Sequence, residues 1–359
     1  MKLHAYVLRS LLGSFTFALG AIVVLAVPGV AVSAVSRLPG VDTATLLLFM
    51  PLLLSEFIPY VVPVCFLLAV VFTYGRLEAD GEWTAIQMSG IHPLRVFLPG
   101  FFLALALSLF TWWLLSEELP RICRAQKHYQ VAASRTLFQN LSPGRTEIQF
   151  GKFYLSAMAR DGKDFVDVVV VLPSESGGAQ RKIVAERVHF EFRDTDVLVF
   201  LTHPHTISGT FDLRSSDPVV RIDLRELQAA NDKTPSSMRY RESTELRAAL
   251  EAEPDPARSN LYRYEIQQRR ASASICLVFL LLGVPTGLRL WRRRQLLAIA
   301  AGAGYALLYY VLSMRLGHVL VDHRILSPER GAWVLPVCGA LVGIETCRRA
   351  LAPSRGPRS

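Results

Sequence analysis

Between Arg9 and Arg37 the chain carries no charged residue, and the same holds from Arg95 to Glu117, from Arg270 to Arg289 and from Arg294 to Arg315. From Thr43 to Gly75 the only charge is Glu56. Each run is long enough, at about 1.5 Å per helical residue, to cross a hydrocarbon core of roughly 30 Å. A last run, Gly331 to Ile344, is shorter. Together these runs predict six transmembrane helices. Between Glu117 and Arg270 the pattern changes. The stretches "EIQFGKFYLSAMA", "DFVDVVVVLP", "KIVAERVHFEF", "DVLVFLTHPHTISGTF" and "PVVRIDL" alternate partly with period two and read as strands. Turn chemistry in "ARDGKD", "PSESGGAQ" and "FRDTD" separates them. Several short strands at near-even spacing predict an antiparallel sandwich or jelly roll. A helix, "STELRAALEAE", and a break, "PDPARSN", then precede "LYRYEIQQRR", the approach to helix four.

The expected fold is therefore an α-helical membrane protein of six transmembrane helices with an inserted all-β, jelly-roll-like domain. Residues 1–116 hold helices one to three and a short cytoplasmic helix at about 78–90. Residues 117–270 hold the β-domain outside the cytoplasm. Residues 271–359 hold helices four to six and a basic tail.

Composition agrees with this pattern and charge orients it. Of the 359 residues 51% are hydrophobic, and they come in blocks. The net charge of +9 admits a nucleic-acid partner in principle, but the basic residues sit at the ends of the apolar runs. Lys2 and Arg9, Arg76 and Arg95, Arg289 with Arg292, Arg293 and Arg294, then Arg348, Arg349, Arg355 and Arg358 occupy alternate loops. The positive-inside rule then puts both termini in the cytoplasm, and an even number of spans supports the short sixth run. Lys2, Arg9 and Ala34 raise the question of a cleaved signal. The first apolar stretch exceeds the usual core of about 7–15 residues, which favours an uncleaved helix.

The chemistry-bearing motifs are few. A phosphate-binding loop needs G-x-x-x-x-G-K-[ST]. "GRTEIQFGKF" has a Gly-Lys, but Phe153 follows it and the spacing is wrong. Neither H-E-x-x-H nor G-x-S-x-G occurs. The chain is expected to be non-catalytic and to need no cofactor. His203 and His205 in "THPHT" share one strand face, as a metal pair without an evident third ligand or as a solvated pair. Cys65, Cys276, Cys338 and Cys347 lie in or beside apolar runs and Cys123 just after one, with no disulfide or zinc spacing.

Three polar features stand out. Glu56 falls near the outer interface; it is a proton-carrier group or a structural residue at that boundary. Arg121, Arg124 and Lys127 recur at i, i+3, i+6 beyond helix three, with His128 beside them. They form a solvated face balanced by Glu117 and Glu118, or a contact to anionic headgroups. The third feature is "GRLEADGEWTAIQMSG", Gly75 to Gly90, a polar segment between two apolar ones. Ala79, Trp83 and Ile86 recur at i, i+4, i+7, which predicts one face of a short helix. Glu78, Asp80 and Glu82 gather towards its start, suiting the helix dipole, and Gly90 can cap its end. A helix that shows Trp83, Ile86 and Met88 to the cytosol fits a partner's groove; a bilayer-surface helix would carry lysines in place of the acids.

The segment "IPYVVPVCFLLAVVFTYGRLEADGEWTAIQMSGI", Ile58 to Ile91, resembles the signature of the lipopolysaccharide export permeases, the LptF/LptG family. "GKFYLSAMARDGKDFVDVVVV" is similar to the family's early jelly-roll strands, and "IQQRRASASICLVFLLLGVPTGL" to its fourth helix. The resemblance implies six helices with a jelly roll between the third and fourth. It implies a permease subunit of an ABC transporter in the bacterial inner membrane, which extracts lipopolysaccharide and passes it to a periplasmic jelly-roll bridge protein. Two such permeases pair over a cytoplasmic ATPase dimer. Glu78–Gly90 corresponds to the coupling helix, with Glu82 as its acid and Trp83, Ile86, Met88 and Gly90 beside it. Arg37, Glu56, Arg121, Arg124 and Lys127 are the candidate contacts to the glycolipid or surrounding membrane lipid. One paralogue class carries lysines in helix one. Here the nearest base is Arg37, which leaves open a partner lacking those lysines or a homodimer. Two other readings stand beside this one: a membrane-anchored sensor or scaffold, and a proton-coupled lipid carrier relying on Glu56.

Overall fold

The computed structural model describes residues 2–37, 43–126, 129, 146–150, 153–161, 164–172, 181–192, 197–203, 205–208, 219–223, 238, 241–291, 294–322 and 327–351. Four helices precede the strands: α1 (Lys2–Arg37), α2 (Thr43–Ala79), α3 (Glu82–Met88) and α4 (Pro93–Trp113). The last continues through a π-helical turn, Leu114–Glu118, as far as Gln126. Seven strands follow: β1 (Thr146–Phe150), β2 (Phe153–Asp161), β3 (Asp164–Leu172), β4 (Arg181–Phe192), β5 (Val197–Thr202), β6 (His205–Ser208) and β7 (Val219–Asp223). Among the described residues five helices follow the strands: α5 (Ser243–Ala252), α6 (Pro256–Ala273), α7 (Ile275–Leu290), α8 (Gln295–Asp322) and α9 (Pro328–Leu351).

Among the described residues five segments are long and apolar enough to cross a membrane: Lys2–Val35, Thr43–Ala79, Pro93–Gln126, Arg258–Leu290 and Gln295–Ser313. The expected sixth span corresponds to α9. It is a helix of 24 residues, but Glu329 and Arg330 at its start and Glu345, Arg348 and Arg349 near its end shorten the apolar middle.

Two compact units result. One comprises Met1–Val27, Leu54–Pro120 and Arg241–Ser359; the other comprises Pro28–Leu53 and Arg121–Tyr240. The segment 241–270, expected with the β-domain, thus falls in the helical unit.

The helical unit is held by close backbone crossings. Gly283 and Gly287 are four apart on α7, so they lie on one face, and a Cβ on Gly287 would stand 2.7 Å from the carbonyl oxygen of Val71 and 2.9 Å from the nitrogen of Gly75. A Cβ on Gly75 would in turn lie 2.5 Å from Cγ of Trp291. Small residues at this spacing let helices meet backbone to backbone where lipid supplies no hydrophobic drive. Gly339 and Gly343 repeat the device on α9, where a Cβ would come within 2.7 Å of Val278 and 2.6 Å of Leu281. Cys347 donates to the Leu281 carbonyl over 3.1 Å. Around these crossings Val7, Leu11, Phe66, Val70, Phe279 and Val284 form a buried cluster.

At the start of α5 the side chains of Glu242 and Glu245 form a reciprocal capping box, which satisfies the orphan amides of the first turn. The Arg269 side chain, 7% exposed, pairs with Glu265 at 3.2 Å and donates to the Arg241 carbonyl at 3.1 Å. Ser243 donates to the carbonyl of Ser116 in the π-helical turn at 3.5 Å.

In the other unit the described strands make one antiparallel sheet, β1-β2-β3-β4-β5-β7, with β6 pairing β4. A sandwich or jelly roll was the expectation; the described strands belong to a single sheet. The length of β4 permits this arrangement, because β5 pairs with Arg187–Phe192 while β6 pairs with Lys182–Val184. Asp167 and His203 have φ of 52° and 51°, a left-handed conformation uncommon outside glycine. At Asp167 the alternation flips, so Phe165 and Val168, three apart, are both buried, opposite Val188 and Ala185.

Candidate functional site

The polar segment between α2 and α4 is built from helix-end chemistry. Helix α2 runs on to Ala79, and Arg76 pairs with Asp80 across one turn at 3.3 Å. Gly81, at φ +75°, then breaks the helix. Nine residues later Gly90, also at φ +75°, ends α3 with its N–H on the Gln87 carbonyl at 3.1 Å. Both positions need a left-handed backbone that costs glycine nothing. His92 caps the next helix by accepting from Leu94 N–H at 3.3 Å, and Pro93 occupies the first helical position.

The expected helix at about 78–90 is therefore shorter. Glu78 and Ala79 belong to α2, and Ala79 is exposed. Ala79, Trp83 and Ile86 do not share a helix face, because the left-handed Gly81 breaks the helix between them. Nor is Trp83 displayed to solvent: it is 6% exposed and stacks on Phe97 at 5.7 Å and 23°. Phe97 also meets Tyr74 at 5.5 Å, and the Tyr74 hydroxyl donates to the Val96 carbonyl at 3.1 Å. Ile86 packs against the same core. An indole gains more by burial against α2 and α4 than by exposure, so the apolar face of α3 is used within the chain.

What α3 leaves outward is Thr84, Ala85, Gln87 and Met88, with Met88 84% exposed. Glu82 is half-buried, and its Oε1 accepts a hydrogen bond from the hydroxyl of Tyr6 on α1 at 3.0 Å. The result is a short helix clamped on its inner face, with a polar outer face and a carboxylate at its start.

The other predicted residues lie elsewhere. Glu56 is half-buried in α2, in the helical unit. Arg37 is the last residue of α1. Arg121 and Arg124 are exposed on the continuation of α4, opposite the buried Cys123 and Gln126, and Gln126 donates to the Leu52 carbonyl at 2.8 Å. Lys127 and His128 lie outside the described residues. Arg37, Arg121 and Arg124 belong to the sheet-containing unit. His203 pairs with Glu186 at 3.2 Å. Sequence reasoning missed Tyr6, Tyr74 and Phe97. Nothing in their apolar surroundings marks them as the residues that hold α3.

The fold defines a helical membrane protein of several spans with a β-sheet insert. A sequence profile of the family described as lipopolysaccharide export system permease LptF/LptG matches residues 5–349, and the chain belongs to that family. It is a transmembrane permease of lipopolysaccharide transport in the inner membrane, a transport subunit within the export complex. No curated protein matches the chain.

Proposed function

We propose that the chain is one of two permeases, identical or paralogous, of an ATP-driven exporter, and that α3 is where a separate cytoplasmic ATPase docks. One observation carries this reading: α3 is anchored through Trp83 on Phe97 while Met88 and the rest of its outer face stay exposed. A helix so anchored passes a push from a partner into α2 and α4 instead of bending under it. Glu82 supplies a carboxylate that an arginine or lysine of the ATPase pairs with, Met88 an adaptable apolar contact, and Gly90 the stop that fixes the helix length. Trp83 and Ile86 then act from behind, as supports.

The chain itself hydrolyses nothing. Its lipid cargo leaves the outer leaflet and passes through a jelly-roll-like insert to a periplasmic bridge; Arg37, Glu56, Arg121, Arg124 and Lys127 are the candidate residues for its phosphates. Both termini and α3 face the cytoplasm. Helix α9 is the sixth span, an assignment supported by its glycine-lined contact with α7.

The test is Glu82→Arg. A reversed charge facing a cationic groove costs on the order of 2–5 kcal/mol at a partly desolvated contact. The variant should fold, and affinity purification in mild detergent should recover it without its ATPase or with hydrolysis uncoupled from lipid release. Wild-type recovery together with wild-type transport would refute α3 as the docking site.

A further inference from the structure

We infer that Tyr6 is a positioning residue that ties helix α1 to the ATPase-facing helix α3, so that a displacement of α3 is delivered to α1. The inference rests on the docking role proposed for α3. Tyr6 and Glu82 are 76 positions apart, and the hydroxyl donates to Oε1 at 3.0 Å. Tyr6 is 50% exposed, so its ring is no core anchor; its distinctive contact is that hydrogen bond. A bond to a carboxylate is among the stronger kinds, and a tyrosine hydroxyl on a rigid ring gives it a fixed length.

The rest of α1 shows why such a tie matters. Near its start Val7 and Leu11 enter the same buried cluster as Trp83, and Ser14 accepts from Thr73 at 3.2 Å. Along its middle α1 is loosely packed: Phe17, Val24 and Leu25 are all exposed, and burial resumes only at Val30 and Ala34. Only 11% of the most apolar stretch of α1 is buried, against 61% in α2. A helix with so little buried along its middle takes the position of its first turns from the few contacts made there. The Tyr6–Glu82 bond sits there, on the residue proposed to meet the ATPase. Oε1 serves Tyr6, and Oε2 makes no hydrogen bond to a described residue, so one carboxylate can hold α1 and receive a cation together.

The experiment uses the complex, purified with its ATPase and reconstituted with lipopolysaccharide in proteoliposomes. Tyr6→Phe removes the hydroxyl and keeps the ring. It should leave ATPase recovery unchanged and lower lipopolysaccharide released per ATP about tenfold, the lower end for one lost hydrogen bond to a charged group. Spin labels at Leu8 and Thr84 give the second readout. In the wild type their separation should hold when nucleotide binds, because α1 follows α3. In Tyr6→Phe it should change. Glu82→Gln keeps a carbonyl acceptor for Tyr6, so it should preserve the fixed separation even where it weakens ATPase recovery. Wild-type transport per ATP in Tyr6→Phe with an unchanged separation overturns the tie. Wild-type protein that recovers no ATPase overturns the docking reading instead, and the tie with it.

Discussion

Trp83 and Met88 lie five residues apart on α3, and their substitution should fail in different ways. Trp83 is buried on Phe97, so Trp83→Ala opens a void in the stack that joins α3 to α2 and α4. Truncating a buried aromatic costs about 3–5 kcal/mol. The melting temperature in detergent should fall, and ATPase recovery should fall with it. Met88→Ala removes only exposed surface, so the melting temperature should hold while ATPase recovery drops. Equal losses of stability in both variants would show that the outer face of α3 has no task of its own. High salt separates Glu82→Arg from either, because it screens charge and leaves packing intact. Arg269 allows a further test at this scale. Its guanidinium is almost fully buried and faces Glu265, whose side chain is 24% exposed. Arg269→Met leaves that carboxylate without its counter-ion. Breaking a buried pair costs about 3–5 kcal/mol, and the partial exposure of Glu265 points to the lower end. Thermal unfolding of the purified variant checks it.

At the scale of elements, the close contact of α2 and α7 decides where α3 is held, since α3 follows the end of α2. Gly287→Val places a branched side chain against the backbone of Val71 and Gly75, which cannot rotate away. Overpacking in a dense core costs about 1–3 kcal/mol, and here the obstacle is main chain. The variant should lose thermal stability and ATPase recovery together, whereas Gly304→Val, where a Cβ would meet nothing within 4 Å, should lose neither. The same elements show what a sequence discloses. The long helices were legible because lipid demands unbroken apolar length. Most strands were legible because Gly, Asp and Ser turns bound them. The start of α3 was not. Ala79, Trp83 and Ile86 fit helical spacing whether or not the helix breaks at Gly81, and a period of 3.6 cannot report a break shorter than one turn. Pairing in the sheet was also hidden. That β4 is shared between β5 and β6 depends on contacts between distant residues, which alternation along one strand does not encode. Tyr6 escaped for the same reason: its partner is 76 residues away.

For the whole molecule the proposed function is a division of labour, with energy received at α3 and the lipid passed on by the insert. That division requires α3 and the sheet to face opposite sides of the membrane. Between them in sequence lies one segment long and apolar enough to cross a membrane, Pro93–Gln126. Met88 and Met158 are both exposed and make good reporters. Cys65, Cys123 and Cys276 are buried, so replacing Cys338 and Cys347 by serine leaves no reactive background thiol. In sealed right-side-out vesicles a membrane-impermeant maleimide should then label Met158→Cys and spare Met88→Cys. In inverted vesicles the pattern should exchange. The arginines flanking the apolar runs predict this orientation, because lysines and arginines resist translocation. An even number of spans, with α9 as the sixth, further requires that Arg349→Cys, near the end of α9, label from the same side as Met88→Cys. If Arg349→Cys labels with Met158→Cys instead, α9 does not cross, and the chain has five spans with its basic tail on the side of the sheet.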